Sequence, residues 1–218
     1  MADEDSRTGA RYADAAVLDW LQRLHAPHDA GLERAYRSPE TNGIPAIQIG
    51  PSEGRMLQIL LRTIAARRVV EVGTLAGYSA IWMARGLPPG GRLWTIESDP
   101  RHAEIARRNF EAAGVLDRVE LRLGAALDVL PGLAAEGPFD AVFIDADKGG
   151  YPDYGRWAAT NLRTGGLLLG DNAFFFGRLL ADDDPTADAM RRFHREAAAL
   201  FDSVCAPTPD GLLLGVKR

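Results

Sequence analysis

The chain has 218 residues, enough for one sizeable domain with a real core and too few for two full ones. Its 46% hydrophobic and 25% charged residues exclude the charge-rich, apolar-poor signature of disorder. Thirty acidic against twenty-five basic residues give a net charge of -5, so the basic surplus that draws proteins onto phosphate backbones is missing and nucleic acid is a poor partner.

Residues 1–20 open with acids and contain no unbroken apolar run, which reads as neither a secretory signal nor a transit peptide. No stretch reaches the roughly 20 apolar residues that span a bilayer. The single Cys205 excludes an internal disulfide or thiolate cluster and reads as core packing in a strand. A cytoplasmic location fits all of this.

In chain order, helical spacing is expected near residues 12–24. A polar connector follows with Pro27, Pro39, Gly43 and Pro45, read either as an active-site lid or as an oligomer contact. His25 and His28 flank Pro27 in this connector, where they either face solvent, the first expectation, or reach an acceptor. Residues 52–64 form a helix whose Met56, Leu57, Ile59, Leu60 and Ile64 make a core stripe. Residues 1–66 are thus a helical, lid-like extension, and 67–218 the core of one domain.

From about residue 67, short β-rich runs alternate with amphipathic stretches, which is the α/β rhythm. Strands are expected at 68–72, 92–97, 119–123, 139–144 and 166–170, with helices at 79–85, 100–113, 125–133 and 151–162. Five strands separated by helices make a parallel sheet with right-handed crossovers. A later helix at about 186–200 precedes strands at 201–205 and 212–217, close enough to form an antiparallel pair at one edge. His102 and His194 are expected on helix surfaces.

In an open parallel sheet, ligands bind beyond the carboxyl ends of the strands, so the residues that follow each strand carry the information. After the first come Glu71, Gly73, Gly77 and Ser79, where glycines permit a tight turn and a helix start offers free N–H groups. Leu75 stands where a dinucleotide fingerprint needs its second glycine, and a phosphate loop's Lys-Ser/Thr ending is missing. After the second strand stands Glu97, placed as a carboxylate that accepts from ribose hydroxyls. Gly124, Ala125 and Ala126 offer small residues against which a flat ring can lie.

The fourth and fifth strands end in Asp145-Ala146-Asp147-Lys148 and Asp171-Asn172. Oxygen ligands at adjacent strand ends suit a hard ion such as Mg²⁺, Ca²⁺ or Mn²⁺, and the lack of His and Cys argues against zinc. Asp147 either orients Lys148 or caps the next helix.

Residues 71–79 (EVGTLAGYS), 143–148 (FIDADK) and 171–172 (DN) resemble, in order and spacing, the metal-dependent class I methyltransferases that include catechol and caffeoyl-coenzyme A O-methyltransferases. The likeness covers about residues 47–218. It implies a Rossmann-like, mostly parallel seven-stranded sheet in the order 3-2-1-4-5-7-6, with the last-but-one strand antiparallel. It implies S-adenosyl-L-methionine as cofactor, with Glu71, Gly73 and Ser79 at its methionine end, Glu97 at the ribose, Ala126 at the adenine, and Ile47 and Ile49 flanking. Asp145, Asp171 and Asn172 match metal ligands, Asp145 also bordering the cofactor, and Lys148 matches the general base. The implied activity is O-methylation of a small, catechol-like aromatic by a homodimeric enzyme.

Where many relatives carry D-N-x-L-W, this chain has Phe174, Phe175 and Phe176 after the Asp-Asn pair. These rings either wall an aromatic site or pack beneath the loop. Two other functions share such a sheet: a nicotinamide-dependent oxidoreductase and a noncatalytic nucleotide- or metal-binding module. The imperfect glycine pattern and the acidic cluster weigh against the first, the intact Lys148 against the second.

Overall fold

The computed structural model describes residues 14–218, so the helix start expected at Tyr12 lies outside the described residues. The order is α1 (Ala15–His25), α2 (Ala30–Asn42), α3 (Pro51–Thr63), β1 (Arg68–Val72), α4 (Tyr78–Gly86), β2 (Arg92–Glu97), α5 (Pro100–Ala112), β3 (Val119–Leu123), α6 (Ala126–Leu133), β4 (Phe139–Ile144), α7 (Tyr151–Asn161), β5 (Leu162–Gly170), α8 (Pro185–Leu200), β6 (Phe201–Ala206) and β7 (Leu212–Lys217). The strands form a seven-stranded sheet in the order β3-β2-β1-β4-β5-β7-β6. β1 lies parallel between β2 and β4, while β7 runs antiparallel to both β5 and β6. The expected Rossmann-like sheet is therefore present, with its expected order and its antiparallel strand.

Side chains alternate across the sheet with the period of two that a pleat imposes. Val69, Leu93, Ala141, Phe143 and Leu169 face α3, α4 and α5, where Leu57, Leu61, Ile81 and Phe110 complete one core. Val70, Val72, Ile96, Val142, Ile144 and Leu168 face the other way, against Leu130, Tyr154, Met190 and Phe193 of α6, α7 and α8. Covering on both faces explains why these strands read as near-continuous apolar runs.

The N-terminal part differs from expectation in two respects. The polar connector is mostly a helix, α2. Asp29 caps it by accepting from the Leu32 N–H at 2.9 Å, and Gly43 closes it in the left-handed region at φ 61°. Its polar face is solvated, while Leu32, Ala35, Ser38 and Pro39 are buried, and Gly31 lets the backbone approach Ala113, which caps the end of α5. In α3 the buried stripe is Gly54, Leu57, Gln58 and Leu61. Ile59, expected in the core, is 50% exposed, and Met56, Leu60 and Ile64 are only partly covered, because the helix is rotated to set Gly54 against the Trp82 ring. β5 begins at Leu162, four residues earlier than expected. No helix among the described residues is long and apolar enough to cross a membrane.

Candidate active site

β1 stops at Val72, and the chain turns at Gly73 with φ +97°, a conformation open to glycine. A Cβ there would lie 1.9 Å from the Asp145 carbonyl oxygen, so glycine is also what lets the ends of β1 and β4 close together. Gly77, at φ +82°, sits against the Phe110 ring and starts α4. The loop between them thus presents backbone at the carboxyl edge of the sheet.

Glu71 points beneath that loop and is fully buried. Ser79 donates to one carboxylate oxygen and Thr95 to the other, the latter at 2.5 Å, and Thr95 in turn meets Thr74 at 2.6 Å. Burial pushes the Glu71 pKa up to about 8; the Asp145 and Glu97 charges add to the rise, and the two hydroxyl donors oppose it.

Glu97 closes β2 at the neighbouring strand end. Its Oε2 accepts from the Leu75 N–H at 2.8 Å and the Thr74 N–H at 3.3 Å, and its Oε1 from the Asp99 N–H at 2.9 Å. The carboxylate therefore shapes the glycine loop and keeps further acceptor capacity on Oε1. His102, expected on a helix surface, turns inward and brings Nδ1 to 3.8 Å from that oxygen. Capping by Asp99 places the first turn of α5 there, since its carboxylate accepts from the Arg101 and His102 N–H groups.

At the ends of β4 and β5, Lys148 Nζ donates to Asp145 Oδ1 at 3.3 Å, to the Ala146 carbonyl at 3.0 Å and to the Tyr151 hydroxyl at 2.8 Å. Tyr151 donates onward, within reach of the Ile144 and Asp171 carbonyls at 3.1 and 3.0 Å. Burial raises the Asp145 pKa against the lowering effect of Lys148, although a quarter of its side chain opens to the cavity. Burial likewise lifts Asp171, to about 7, with the Asp145 charge adding to it. Asp147 accepts from the Gly150 N–H at 2.9 Å and from the Tyr154 hydroxyl at 2.6 Å, so of its two expected roles the structure supports capping.

A cavity of about 850 Å³ joins these parts. Of the eleven residues to which the family resemblance gives a role, Ile47, Ile49, Gly73, Ser79, Glu97, Ala126, Asp145, Lys148 and Asn172 line it. Two do not: Glu71 lies beneath the floor, held by Ser79 and Thr95, and Asp171 lies in an adjoining crevice beside Ile49, Glu53 and Phe143. Of the three phenylalanines, Phe176 lines the cavity, while Phe175 is buried and Phe174 packs on Gly211. Phe174 and Phe175 thus pack beneath the loop, as one of the two expectations had it, while Phe176 borders the cavity.

The sequence reading missed Tyr78 and Tyr154, which also line the cavity. Tyr78 is held by His28, which does not face solvent: its Nε2 is 2.7 Å from the Tyr78 hydroxyl and its Nδ1 2.9 Å from Glu33. Fifty residues separate that pair, and no local pattern announces it. His194 also turns from solvent, its Nε2 lying 2.8 Å from the Ala173 carbonyl oxygen. Cys205 is a free, half-buried thiol packed at the edge of the second core.

A glycine turn after β1, a carboxylate closing β2 and an antiparallel β7 beside β5 define the class of S-adenosylmethionine-dependent methyltransferases. Comparison with known proteins narrows the class. The model of the O-methyltransferase family matches residues 28–217. A catechol O-methyltransferase of Niastella koreensis is 45% identical over 214 residues, covering 93% of this chain and 97% of the relative. A Bacillus cereus O-methyltransferase solved with S-adenosylhomocysteine superposes with a TM-score of 0.89 at 38% identity, covering 93% and 97%. An O-methyltransferase from Streptomyces achromogenes, involved in tomaymycin synthesis and solved with S-adenosylmethionine, gives 0.87 at 34% identity over the full length of both chains. The chain belongs to the O-methyltransferase family and is an S-adenosylmethionine-dependent enzyme, which sets aside the oxidoreductase and the noncatalytic module.

Proposed function

We propose that this O-methyltransferase acts on a catechol-like aromatic held by a divalent metal ion, with Mg²⁺ the first choice and Ca²⁺ or Mn²⁺ alternatives. The observation that carries the reading is the cluster at the ends of β4 and β5. Asp145 and Asp171 are desolvated, the Asp145 charge opposes ionisation of Asp171, and Asn172 adds an amide oxygen. Oxygen donors of this kind fit a hard cation, whose charge would relieve the repulsion between the two carboxylates. Asp145, Asp171 and Asn172 would hold it. A bound divalent ion lowers the pKa of a hydroxyl it contacts and fixes the direction of that oxygen.

The cofactor supplies a methyl carbon on a sulfonium. In this reading Gly73 and Ser79, with Glu71 behind them, would hold its methionine end, Glu97 its ribose hydroxyls, and Ala126 with Ile47 and Ile49 its adenine. Lys148, oriented by Asp145 and Tyr151, accepts the acceptor's hydroxyl proton at Nζ once it has given up one of its own protons and is a neutral amine. Phe176 offers a ring to an aromatic acceptor and helps exclude water. Positioning then supplies much of the rate, because oxygen, methyl carbon and leaving sulfur must align. The name of the Niastella koreensis relative supports the choice of acceptor.

The reading extends to a homodimer, supported by the uncovered apolar side chains of α1, and to a cytoplasmic enzyme, where a reducing compartment keeps the unpaired Cys205 a thiol. Methyl transfer from labelled S-adenosylmethionine to 3,4-dihydroxybenzoate tests the acceptor. Product is expected with the ortho-dihydroxy compound and little with its monohydroxy analogue; equal transfer to both would refute metal-held catechol chemistry.

A further inference from the structure

Four positions in the segment that carries Phe176 occupy the left-handed region: Asn172 at φ 51°, Phe175 at 49°, Phe176 at 52° and Gly177 at 75°. Two consecutive phenylalanines there are strained, and such strain persists when surrounding contacts over-determine the backbone. The contacts come from the turn between β6 and β7. The Gly211 carbonyl accepts from the Ala173 N–H at 2.9 Å, and the Asp210 carbonyl from the Phe174 N–H at 2.8 Å. Asp210 then uses its side chain, Oδ1 accepting from the Phe176 N–H at 2.8 Å. Phe174 is pressed on Gly211, where a Cβ would lie 2.6 Å from the ring.

The result sorts three identical side chains. Two are anchors, and the third, Phe176, is 64% exposed on the wall of the cavity that also contains Asn172, Asp145 and Lys148. An apolar ring held out against its own tendency to bury needs a fixed backbone behind it. We infer that Asp210 is a positioning residue for acceptor selectivity: its carboxylate fixes the Phe176 backbone, and so the ring, over the acceptor end of the cavity. The β6–β7 turn, remote in sequence from every residue of the cofactor site, thereby sets which acceptors fit. This inference rests on the reading of the acceptor as an aromatic ring.

The test uses the full chain with Asp210→Ala, Asp210→Asn, Phe176→Ala and the Asp210→Ala/Phe176→Ala double variant. Hydrogen exchange at the Phe176 amide reads the positioning without any acceptor. Asp210→Ala is expected to speed it at least tenfold, whereas Asp210→Asn, whose amide oxygen still accepts, stays within about twofold of the parent. Steady-state kinetics with 3,4-dihydroxybenzoate reads how well the positioned ring holds the acceptor, and the ratio of its kcat/KM to that of catechol reads selectivity. Asp210→Ala and Phe176→Ala are each expected to raise KM about tenfold, with kcat and S-adenosylmethionine affinity within about twofold. The double variant should be no worse than either single one, because both remove the same contact.

Unchanged exchange in Asp210→Ala overturns the positioning, as do KM effects that multiply in the double variant. If the parent enzyme methylates no ortho-dihydroxy aromatic, the acceptor reading fails, while the exchange measurement still decides what Asp210 does. Phe176→Ala leaves the turn intact, so loss of folding in an Asp210 variant does not remove the kinetic test.

Discussion

Glu71 carries a cost that pH can expose. Its carboxyl pKa is pushed from 4.5 up to about 8 by burial in the folded chain. Between those values the folded state binds more protons than the unfolded one, so stability is highest below pH 4.5 and falls as pH rises towards 8. The full effect is on the order of a few kcal/mol. Urea unfolding of the ligand-free protein is therefore expected to show declining stability across that window from this group. Glu71→Gln, which keeps one acceptor oxygen and turns an amide donor towards the other hydroxyl, should flatten the decline; an unchanged slope in the variant would show that burial does not govern Glu71. Glu71, Glu97 and the Asp145 and Asp171 pairs were legible in the sequence because each lies at or beside the end of a run of strand residues, and strand ends converge. Tyr78, Tyr154 and Asp210 were not, because each acts through a partner distant in sequence or through a side chain on a turn.

At the scale of elements, the strand boundaries of β1 to β4 follow from apolar runs bounded by polar residues and glycine. The exceptions have physical reasons. Helix α2 has a polar composition and carries Pro39, yet it forms because Asp29 caps its start and its narrow apolar stripe packs on α5. Ile59 reads as core by periodicity alone, but the fit of Gly54 on Trp82 rotates α3 and leaves it outside. The junction of β1 with β4 depends most on one position. Gly73→Ala adds a Cβ at 1.9 Å from the Asp145 carbonyl oxygen and imposes a left-handed φ on alanine. A loss of roughly 3 kcal/mol is expected. Cofactor affinity should fall with it, since Gly73 and Asp145 share the cavity. Thermal unfolding and calorimetric titration with S-adenosylmethionine check both parts, and a variant with parental Tm and affinity would contradict the account of this turn.

At the scale of the molecule, the sheet brings the ends of its five parallel strands to one cavity, while α1 has no buried residue and Trp20 is 60% exposed. Burying such a side chain against a second copy would contribute about 2 kcal/mol per subunit. Sedimentation at micromolar concentration is expected to show a dimer that Trp20→Asp weakens; a parental monomer would remove the dimer from the account. In the proposed function two ligands share one cavity: the cofactor at the ends of β1 and β2, and a metal-held acceptor at the ends of β4 and β5. The most direct measurement is turnover with 3,4-dihydroxybenzoate, alongside calorimetric S-adenosylmethionine affinity, before and after removal of divalent ions by excess chelator. Turnover is expected to fall by about 10²-fold or more, to return with Mg²⁺ and to be matched by the loss in Asp171→Ala, while cofactor affinity changes little. Full turnover in excess chelator would contradict it.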